Sequence, residues 1–183
     1  MSPPRLDSDP QRSVCFTGHR TQHIRISLNV LWERCRDVVN ALYAAGRRDF
    51  LCGGATGFDT LAASCVLQAR EHCPGMRLIL ALPCADQTRG WPEHERALYD
   101  SLAEQADRVL ILAHHYYPGC MMVRNRFLVD HAGFCVAYLD GHKGGTSGTV
   151  RFALQSGLPV LNLAVESEVR RFLRENADEA LPF

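Results

Sequence analysis

The sequence has few features that would direct it to a membrane or to nucleic acid. Its 183 residues contain 20 Lys and Arg against 20 Asp and Glu, so the formal net charge is zero. Such a chain has no overall field that attracts nucleic acid or an anionic membrane, although a local basic patch is compatible with it. No apolar run is long enough to span a bilayer, and residues 1–10 lack the apolar core of a signal peptide. We therefore expect a cytoplasmic protein with no membrane partner.

Standard cysteine motifs are also missing. The chain has 8 cysteines, at positions 15, 35, 52, 65, 73, 84, 120 and 135, and none of them forms a C-x-x-C pair. Most fall in apolar runs or on apolar helix faces, where a free thiol behaves as a small hydrophobic group. We therefore expect reduced, mostly buried thiols. His114, His115 and Cys120 fit no standard ligand spacing, so we expect no metal site.

Short apolar runs alternate with helical patterns along the chain. The runs near residues 13–17, 50–52, 76–83, 108–113, 134–139 and 159–163 predict six strands. Strands that alternate with helices form parallel sheets, and continuous apolar strands are typical of sheets covered on both faces. The pattern predicts an α/β fold: a single doubly wound, Rossmann-like domain with a mostly parallel sheet of about six strands and helices on both faces.

A chain of this length is expected to form one domain. We place that domain at residues 13–175. A polar, proline-bearing lead-in at residues 1–12 precedes it, and a polar tail at residues 176–183 follows it.

The unusual loops of the sequence all follow predicted strands. They lie at residues 17–20, 53–59, 83–91, 114–120 and 140–149. In parallel sheets, ligands bind beyond the carboxyl ends of the strands, where the strand order reverses. We therefore expect a ligand site at this edge of the sheet.

Two of these loops are rich in glycine and lead into helices. One contains Gly53, Gly54, Ala55, Gly57 and Asp59, and the other contains Gly144, Gly145, Thr146, Gly148 and Thr149. Glycine lets the backbone approach a ligand, and a helix N-terminus favours an anion. The second loop is neither a Walker A motif nor the dinucleotide fingerprint. A tight turn and a capped helix start explain the two loops without a ligand, but two such loops at one edge favour a phosphate-bearing ligand.

Further polar side chains are expected at the same edge. Thr17, Gly18, His19 and Arg20 follow the first strand, and an arginine in this position suits a phosphate or carboxylate, although a surface ion pair is the alternative. Arg124 and Asn125 lie near the start of a later helix, from which they can face the ligand crevice.

Three more residues each have two interpretations. Asp59 either stabilises the first turn of its helix, or it hydrogen-bonds a ribose or a neighbouring loop. Trp91 either stacks on a base or packs beneath its loop. Asp140 follows a strand and is a candidate acid or base. Because no nucleophile–base pair is visible, the catalytic residues stay unknown, with Asp59 and Asp140 as weak candidates.

The motifs, taken together over residues 13–165, resemble those of a known family. They are Cys15-Phe16-Thr17-Gly18-His19-Arg20, Gly53-Gly54-Ala55-x-Gly57-x-Asp59, Pro83-Cys84-x-x-Gln87, Trp91, Cys120-Met121-x-x-Arg124-Asn125-Arg126 and Gly144-Gly145-Thr146-x-x-Thr149-Val150. Each alone is weak, but the set is similar to the YpsA-like branch of the SLOG superfamily, which groups the DprA/SMF and LOG proteins.

The resemblance implies a Rossmann-like fold and a nucleotide or nucleotide-derived ligand, with NAD or ADP-ribose suggested for this branch. It implies ligand contacts from the matched motif residues, including Gln87, Trp91, Arg124 and Thr149. No cofactor is implied beyond that ligand. LOG-like relatives are commonly dimers, so the resemblance also implies a homodimer.

The resemblance leaves three functions open. LOG-type phosphoribohydrolases carry an arginine on the helix before a G-G-x-G-T-x-x-E loop, and Arg124 matches that arginine. This chain has an extra residue in the loop, and Val150 to Phe152 supply no glutamate after Thr149. We therefore favour a sensory or regulatory ligand-binding protein over a nucleotide N-glycosidic hydrolase. DprA-like binding of single-stranded DNA is disfavoured by the zero net charge and by the lack of an evident aromatic and basic groove.

Overall fold

The computed structural model describes residues 6–141 and 143–177. Within them, six strands form one sheet: β1 (Ser13–Gly18), β2 (Asp49–Cys52), β3 (Arg77–Leu82), β4 (Arg108–Ile111), β5 (Cys135–Tyr138) and β6 (Val160–Asn162). The same residues form six α-helices: α1 (Leu28–Ala44), α2 (Phe58–Arg70), α3 (Glu93–Gln105), α4 (Cys120–Asp130), α5 (Gly145–Gln155) and α6 (Glu166–Glu175). All neighbouring strands are parallel, in the order β4-β3-β2-β1-β5-β6. The predicted fold class is confirmed.

Helices cover both faces of the sheet and bury its strands. One core lies beneath α1, α2, α3 and α6, and it includes Phe16, Phe50 and Leu163. A smaller core lies beneath α4 and α5 and includes Leu51 and Leu128. Each fully buried side chain of this size contributes about 1.5–3 kcal/mol by leaving water. The two-sided burial explains why the strands are continuous apolar runs.

The strand order reverses between β1 and β5. The chain builds β1 to β4 outward in one direction and then crosses through α4 to place β5 on the other side of β1. Thr17 and Gly18 at the end of β1 lie opposite Ala137 and Tyr138 at the end of β5. The loops that follow these two strands therefore diverge and leave an opening between them.

The cysteines are all free and buried, as the sequence predicts. Cys15 and Cys135 lie opposite each other on β1 and β5. The neighbouring Cys135 thiol and burial together raise the pKa of Cys15 well above its usual range. A thiol in this setting is an inert packing group.

The ends of the chain fall partly outside the described residues. Of the predicted lead-in, residues 1–5 lie outside, whereas Leu6 packs against the core beneath α4 and α5. Of the predicted tail, residues 178–183 lie outside. No helix in the described part of the chain combines the length and apolarity needed to cross a membrane.

One side chain on β6 fixes the carboxyl end of β5. Oδ1 of Asn162 accepts a hydrogen bond from the Leu139 N–H at 3.0 Å and another from the Ala164 N–H at 3.1 Å. Its Nδ2 donates to the Leu139 carbonyl oxygen at 2.7 Å. The amide thus satisfies both backbone groups of the residue that starts the loop after β5.

We expect Asn162→Ala to lower the free energy of unfolding by about 1–3 kcal/mol, because it removes three hydrogen bonds around partly buried backbone. Urea denaturation measures the loss. Asn176→Ala is the matched control, since Nδ2 of Asn176 donates to the Phe172 carbonyl at a helix end. Equal losses in the two variants would show that the bonds of Asn162 do not hold the end of β5.

Candidate functional site

A crevice of about 320 Å³ opens where the strand order reverses. Its walls come from the loop after β1, the loop before α2, the first half of α4 and the start of α5. The structure brings these predicted site residues together along it: Thr17, Gly18, His19, Arg20, Ala55, Asp59, Arg124, Asn125, Gly144, Gly145 and Thr146. Four segments that are far apart in the sequence therefore meet at one opening.

The crevice is lined mainly by basic and neutral polar side chains. Arg20, Arg124 and Lys143 contribute basic side chains to its walls, and His23 also lines it. Of the lining residues that the structure describes, Asp59 alone is acidic. The balance favours an anionic ligand.

The glycines of the loop before α2 are required by contacts within the chain. A Cβ atom on Gly53 would overlap the Arg124 guanidinium, whose Nη1 donates to the Gly53 carbonyl oxygen. Gly57 has a φ of +88°, and a Cβ there would lie 2.5 Å from the backbone nitrogen of Thr21. Gly54 also has a positive φ and packs against Leu82. This loop would need its glycines with or without a ligand.

The glycines at the start of α5 have no such explanation. A Cβ added to Gly144, Gly145 or Gly148 would meet no atom of the described residues within 4 Å. None of the three has a φ in the left-handed region. Ser147 Oγ accepts from the Gly144 N–H at 3.1 Å and donates to the Gly144 carbonyl, so the helix start is capped by its own serine. Neither packing nor backbone conformation within the described chain therefore requires glycine here.

Asp59 and Arg124 form a buried pair at the base of the crevice. Their Oδ2 and Nη1 atoms are 3.8 Å apart, and both side chains are 7% exposed. Burial raises the pKa of Asp59, and the opposing pull of Arg124 does not offset it. Arg124 Nε also donates to Asn125 Oδ1 at 2.7 Å. The Arg124 guanidinium is therefore fixed between Gly53, Asp59 and Asn125.

Asp140 joins the loops that follow β1 and β5. Its Oδ1 atom lies 3.0 Å from His19 Nε2, and its Oδ2 atom lies 3.3 Å from Arg25 Nε. The His19 ring packs edge-on against Tyr138, whose hydroxyl accepts from the Arg25 N–H at 3.0 Å. Asp140 thus borders the crevice through His19 and does not line it.

Other predicted site residues lie away from the crevice. Gln87 is buried and its Nε2 donates to the Gly54 carbonyl at 3.2 Å. Trp91 packs edge-on against Tyr99, with ring centroids 5.8 Å apart, as in the packing alternative. Thr149 is buried one turn into α5, where its Oγ1 donates to the Gly145 carbonyl. Gly53 and Gly54 lie behind the lining residues, and Gly57 faces a different cavity.

Sequence reasoning missed five lining residues: Phe16, His23, Met121, Leu128 and Lys143. His23 reaches the crevice because residues 21–23 form a 3₁₀ turn after the β1 loop. Met121 supplies an apolar wall from the first turn of α4. Lys143 directly precedes the glycines of α5, and a basic residue next to a glycine-rich loop was a signal that the sequence offered.

Comparison with known proteins identifies a family. The model of the YpsA family, described as the YspA SLOG family, matches residues 14–178. A protein of Bacillus subtilis described as the uncharacterised SPbeta prophage-derived protein YoqJ is 27% identical over 121 residues, which cover 60% of this chain and 71% of YoqJ. A UPF0398 protein of Bacillus pumilus is 28% identical over 141 residues, which cover 73% of this chain and 76% of that protein.

Solved structures share the fold. DNA processing protein A (DprA) from Streptococcus pneumoniae matches 93% of this chain with a TM-score of 0.62 and 17% identity, and the match spans 56% of that protein. DprA from Helicobacter pylori, described by its mode of binding single-stranded DNA, also matches with a TM-score of 0.62 and 17% identity. That match covers 94% of this chain and 83% of the DprA chain. The protein TM1055 matches 82% of this chain and 72% of its own, with a TM-score of 0.53 and 16% identity. At this identity the likeness concerns the fold alone.

We expect Gly57→Ala to destabilise the protein by about 3 kcal/mol or more, because it combines an unfavourable φ with a backbone collision. Gly46→Ala is the matched control: Gly46 has a φ of +89°, but a Cβ there meets nothing within 4 Å. The control should lose about 1–2 kcal/mol, the cost of the left-handed conformation alone. Urea denaturation compares the two, and equal losses would argue against a tight contact at Gly57.

The raised pKa of Asp59 gives a pH dependence with a defined sign. The pKa of Asp59 is higher in the folded state than in the unfolded state, so the protonated carboxyl stabilises the fold. This stabilisation is fully present below the unfolded-state pKa and is lost as the pH rises through the folded-state pKa. Asp59→Asn cannot titrate. We therefore expect the free energy of unfolding of the wild type, relative to this variant, to fall between about pH 4 and about pH 7.5. Denaturant titrations at both pH values measure it, and a constant or rising difference would contradict the prediction.

Proposed function

The chain belongs to the YspA SLOG family, and we propose that it binds a nucleotide or nucleotide-derived ligand, of the NAD or ADP-ribose type, in a sensory or regulatory role. The observation that carries the proposal is the start of α5. Gly144, Gly145 and Gly148 face open space at the switch point of the sheet, and nothing within the described chain requires them. A ligand that approaches the backbone closely explains why these positions are glycine.

A phosphate group suits the start of α5. The first backbone N–H groups of a helix lack partners within the helix, and the helix dipole favours an anion there. Lys143 precedes this turn, and Arg20 also lines the crevice. An exposed arginine can bind two phosphate oxygens at once. Arg124 is fixed by other contacts, so in this proposal it shapes the wall.

A ribose suits the middle of the crevice. Asp59 and Asn125 offer a carboxylate and an amide, which are good partners for a pair of hydroxyl groups. Met121 and Leu128 add an apolar surface beside them. The crevice, at about 320 Å³, is at the small end of the range for ligand pockets, and this volume suits a phosphorylated ribose better than a whole dinucleotide.

Two features favour binding over catalysis. The chain has Val150 to Phe152 where LOG-type hydrolases place a glutamate after the glycine loop. Both carboxylates that stand near the crevice already have partners, Arg124 for Asp59 and His19 with Arg25 for Asp140. A sensor needs only the binding step.

Hydrolysis of an N-glycosidic bond is the second candidate, because His19 and Asp140 form a close pair beside the crevice. A carboxylate that orients an imidazole is a common arrangement for acid–base chemistry. In this alternative Asp140 would take the place of the absent glutamate by acting through His19. A homodimer and a cytoplasmic location stay predictions.

We expect NAD or ADP-ribose to raise the melting temperature of the purified protein, because binding to the native state stabilises it by mass action. Gly145→Val should weaken the binding at least tenfold, which corresponds to about 1.4 kcal/mol, by filling the space at the start of α5. The melting temperature of the ligand-free variant should stay near that of the wild type, since a Cβ atom there would meet no atom of the described residues within 4 Å. Ser167→Val, in the first turn of α6, is the matched control and should leave binding unchanged.

The same samples separate the alternatives. Chromatography after incubation should recover intact ligand, whereas released base would favour the hydrolase. Tight, strongly salt-dependent binding of single-stranded DNA would favour a DprA-like role. If no nucleotide raises the melting temperature, the proposed function is wrong.

A further inference from the structure

A second cavity of about 420 Å³ lies on the other side of the loop that follows β1. We call it the groove, and its walls are the amino-terminal halves of α1, α2 and α3. The crevice lies on the face of the sheet covered by α4 and α5, whereas the groove lies on the face covered by α1 to α3. The two cavities therefore open at the same edge of the sheet, on opposite faces.

Only a short stretch of backbone separates them. Arg20 lines the crevice and Thr21 lines the groove; likewise, Ala55 lines the crevice and Thr56 lines the groove. Arg20 and Thr21 are exposed, so a ligand can cross above them. A molecule with two parts can thus occupy both cavities.

The chemistry of the groove is the opposite of that of the crevice. Leu28 on α1 and Leu98 on α3 are 54% and 46% exposed, which is unusual for leucines that border one cavity. Trp32 contributes a partly buried indole ring. These side chains offer apolar surface to a flat ring.

Neutral polar groups lie among the apolar ones. The hydroxyls of Thr60 and Ser64 donate to backbone carbonyls at 2.9 Å, and each oxygen keeps lone pairs that can accept. Asn29 adds an amide that both donates and accepts. His94 and Glu95 are the charged or titratable groups among the described lining residues. Apolar walls with neutral polar groups suit an uncharged heteroaromatic ring better than a phosphate.

We infer that the groove binds the heteroaromatic base of the ligand whose phosphate and ribose groups occupy the crevice. The ligand crosses the edge of the sheet above Arg20 and Thr21. This inference rests on the proposed function and narrows it: the ligand carries a base at one end and a phosphorylated ribose at the other, as ADP-ribose does. The crevice measures about 320 Å³ and the groove about 420 Å³, so a ligand with two parts has a separate cavity for each part.

Trp32 provides a direct reporter. The chain has 2 tryptophans, Trp32 and Trp91. In Trp91→Phe, which keeps an aromatic ring against Tyr99, all tryptophan emission comes from Trp32. We expect saturating ADP-ribose to change that emission, because the adenine ring contacts the indole, and we expect ribose 5-phosphate to leave it unchanged.

Truncation of the groove walls tests affinity. Leu28→Ala combined with Leu98→Ala removes exposed apolar surface and should weaken ADP-ribose binding at least fivefold by calorimetry. Affinity for ribose 5-phosphate should change less than twofold. Leu154→Ala is the matched control, since Leu154 is 59% exposed on α5 and lies outside both cavities.

The outcomes separate this inference from the proposed function. One outcome is that ADP-ribose binds without a change in the Trp32 emission and with the same affinity for the truncated variant. In that case the base lies elsewhere and the inference is wrong, while the proposed function stands. If ADP-ribose does not bind the wild type at all, the inference is wrong as stated; the proposed function then fails only if NAD and the other nucleotides also leave the melting temperature unchanged.

Discussion

A single backbone contact shapes the edge of the sheet where the candidate site lies. The Phe58 N–H donates to the His19 carbonyl oxygen at 3.0 Å, which draws the start of α2 against the loop that follows β1. Only glycine at position 57 allows this approach. Because the two loops touch, the edge is divided into a crevice on one face of the sheet and a groove on the other. The shape of the candidate site is thus a consequence of a packing constraint in the fold.

The two glycine-rich loops look alike in sequence, but the physical reason for their glycines differs. The glycines at 53, 54 and 57 make room for a guanidinium, a side-chain contact and a backbone contact, all within the chain. At Gly144, Gly145 and Gly148, no atom of the described chain lies within 4 Å of where a Cβ atom would stand. The first loop builds a wall of the crevice, and the second borders the crevice at Gly144 and Gly145, where a helix begins. In the proposed function, this difference favours α5 as the place of the anion, with Arg20 and Lys143 as its charge partners.

The fold was predictable from the sequence, whereas the sequence did not show which polar residues line the crevice and which pack within the fold. Alternating strand and helix patterns are local signals, and they place the polar loops at one edge because parallel strands share a direction. Whether Trp91 stacks on a base or packs edge-on against Tyr99 depends on tertiary contacts, which cannot be read from the spacing of residues in the sequence. Gln87 lies away from the crevice because it is bonded to the Gly54 carbonyl. His23 was missed because a 3₁₀ turn folds it back toward the crevice, whereas Lys143 was visible beside its glycines.

The contrast between the crevice and the groove bears on what the protein can recognise. A phosphate site alone cannot distinguish one nucleotide from another, since all of them offer the same oxygens. Discrimination requires contact with the base, and the groove is the neighbouring cavity with neutral polar groups and apolar walls. Its first wall, α1, begins seven residues after Thr21, so in the proposed function the loop that borders the phosphate-binding crevice also leads to the groove that binds the base. Changes in Leu28, Asn29 or Leu98 would then alter specificity while the phosphate site at α5 stayed intact. A family that keeps its glycine loops and varies these groove positions could recognise different signals with one fold.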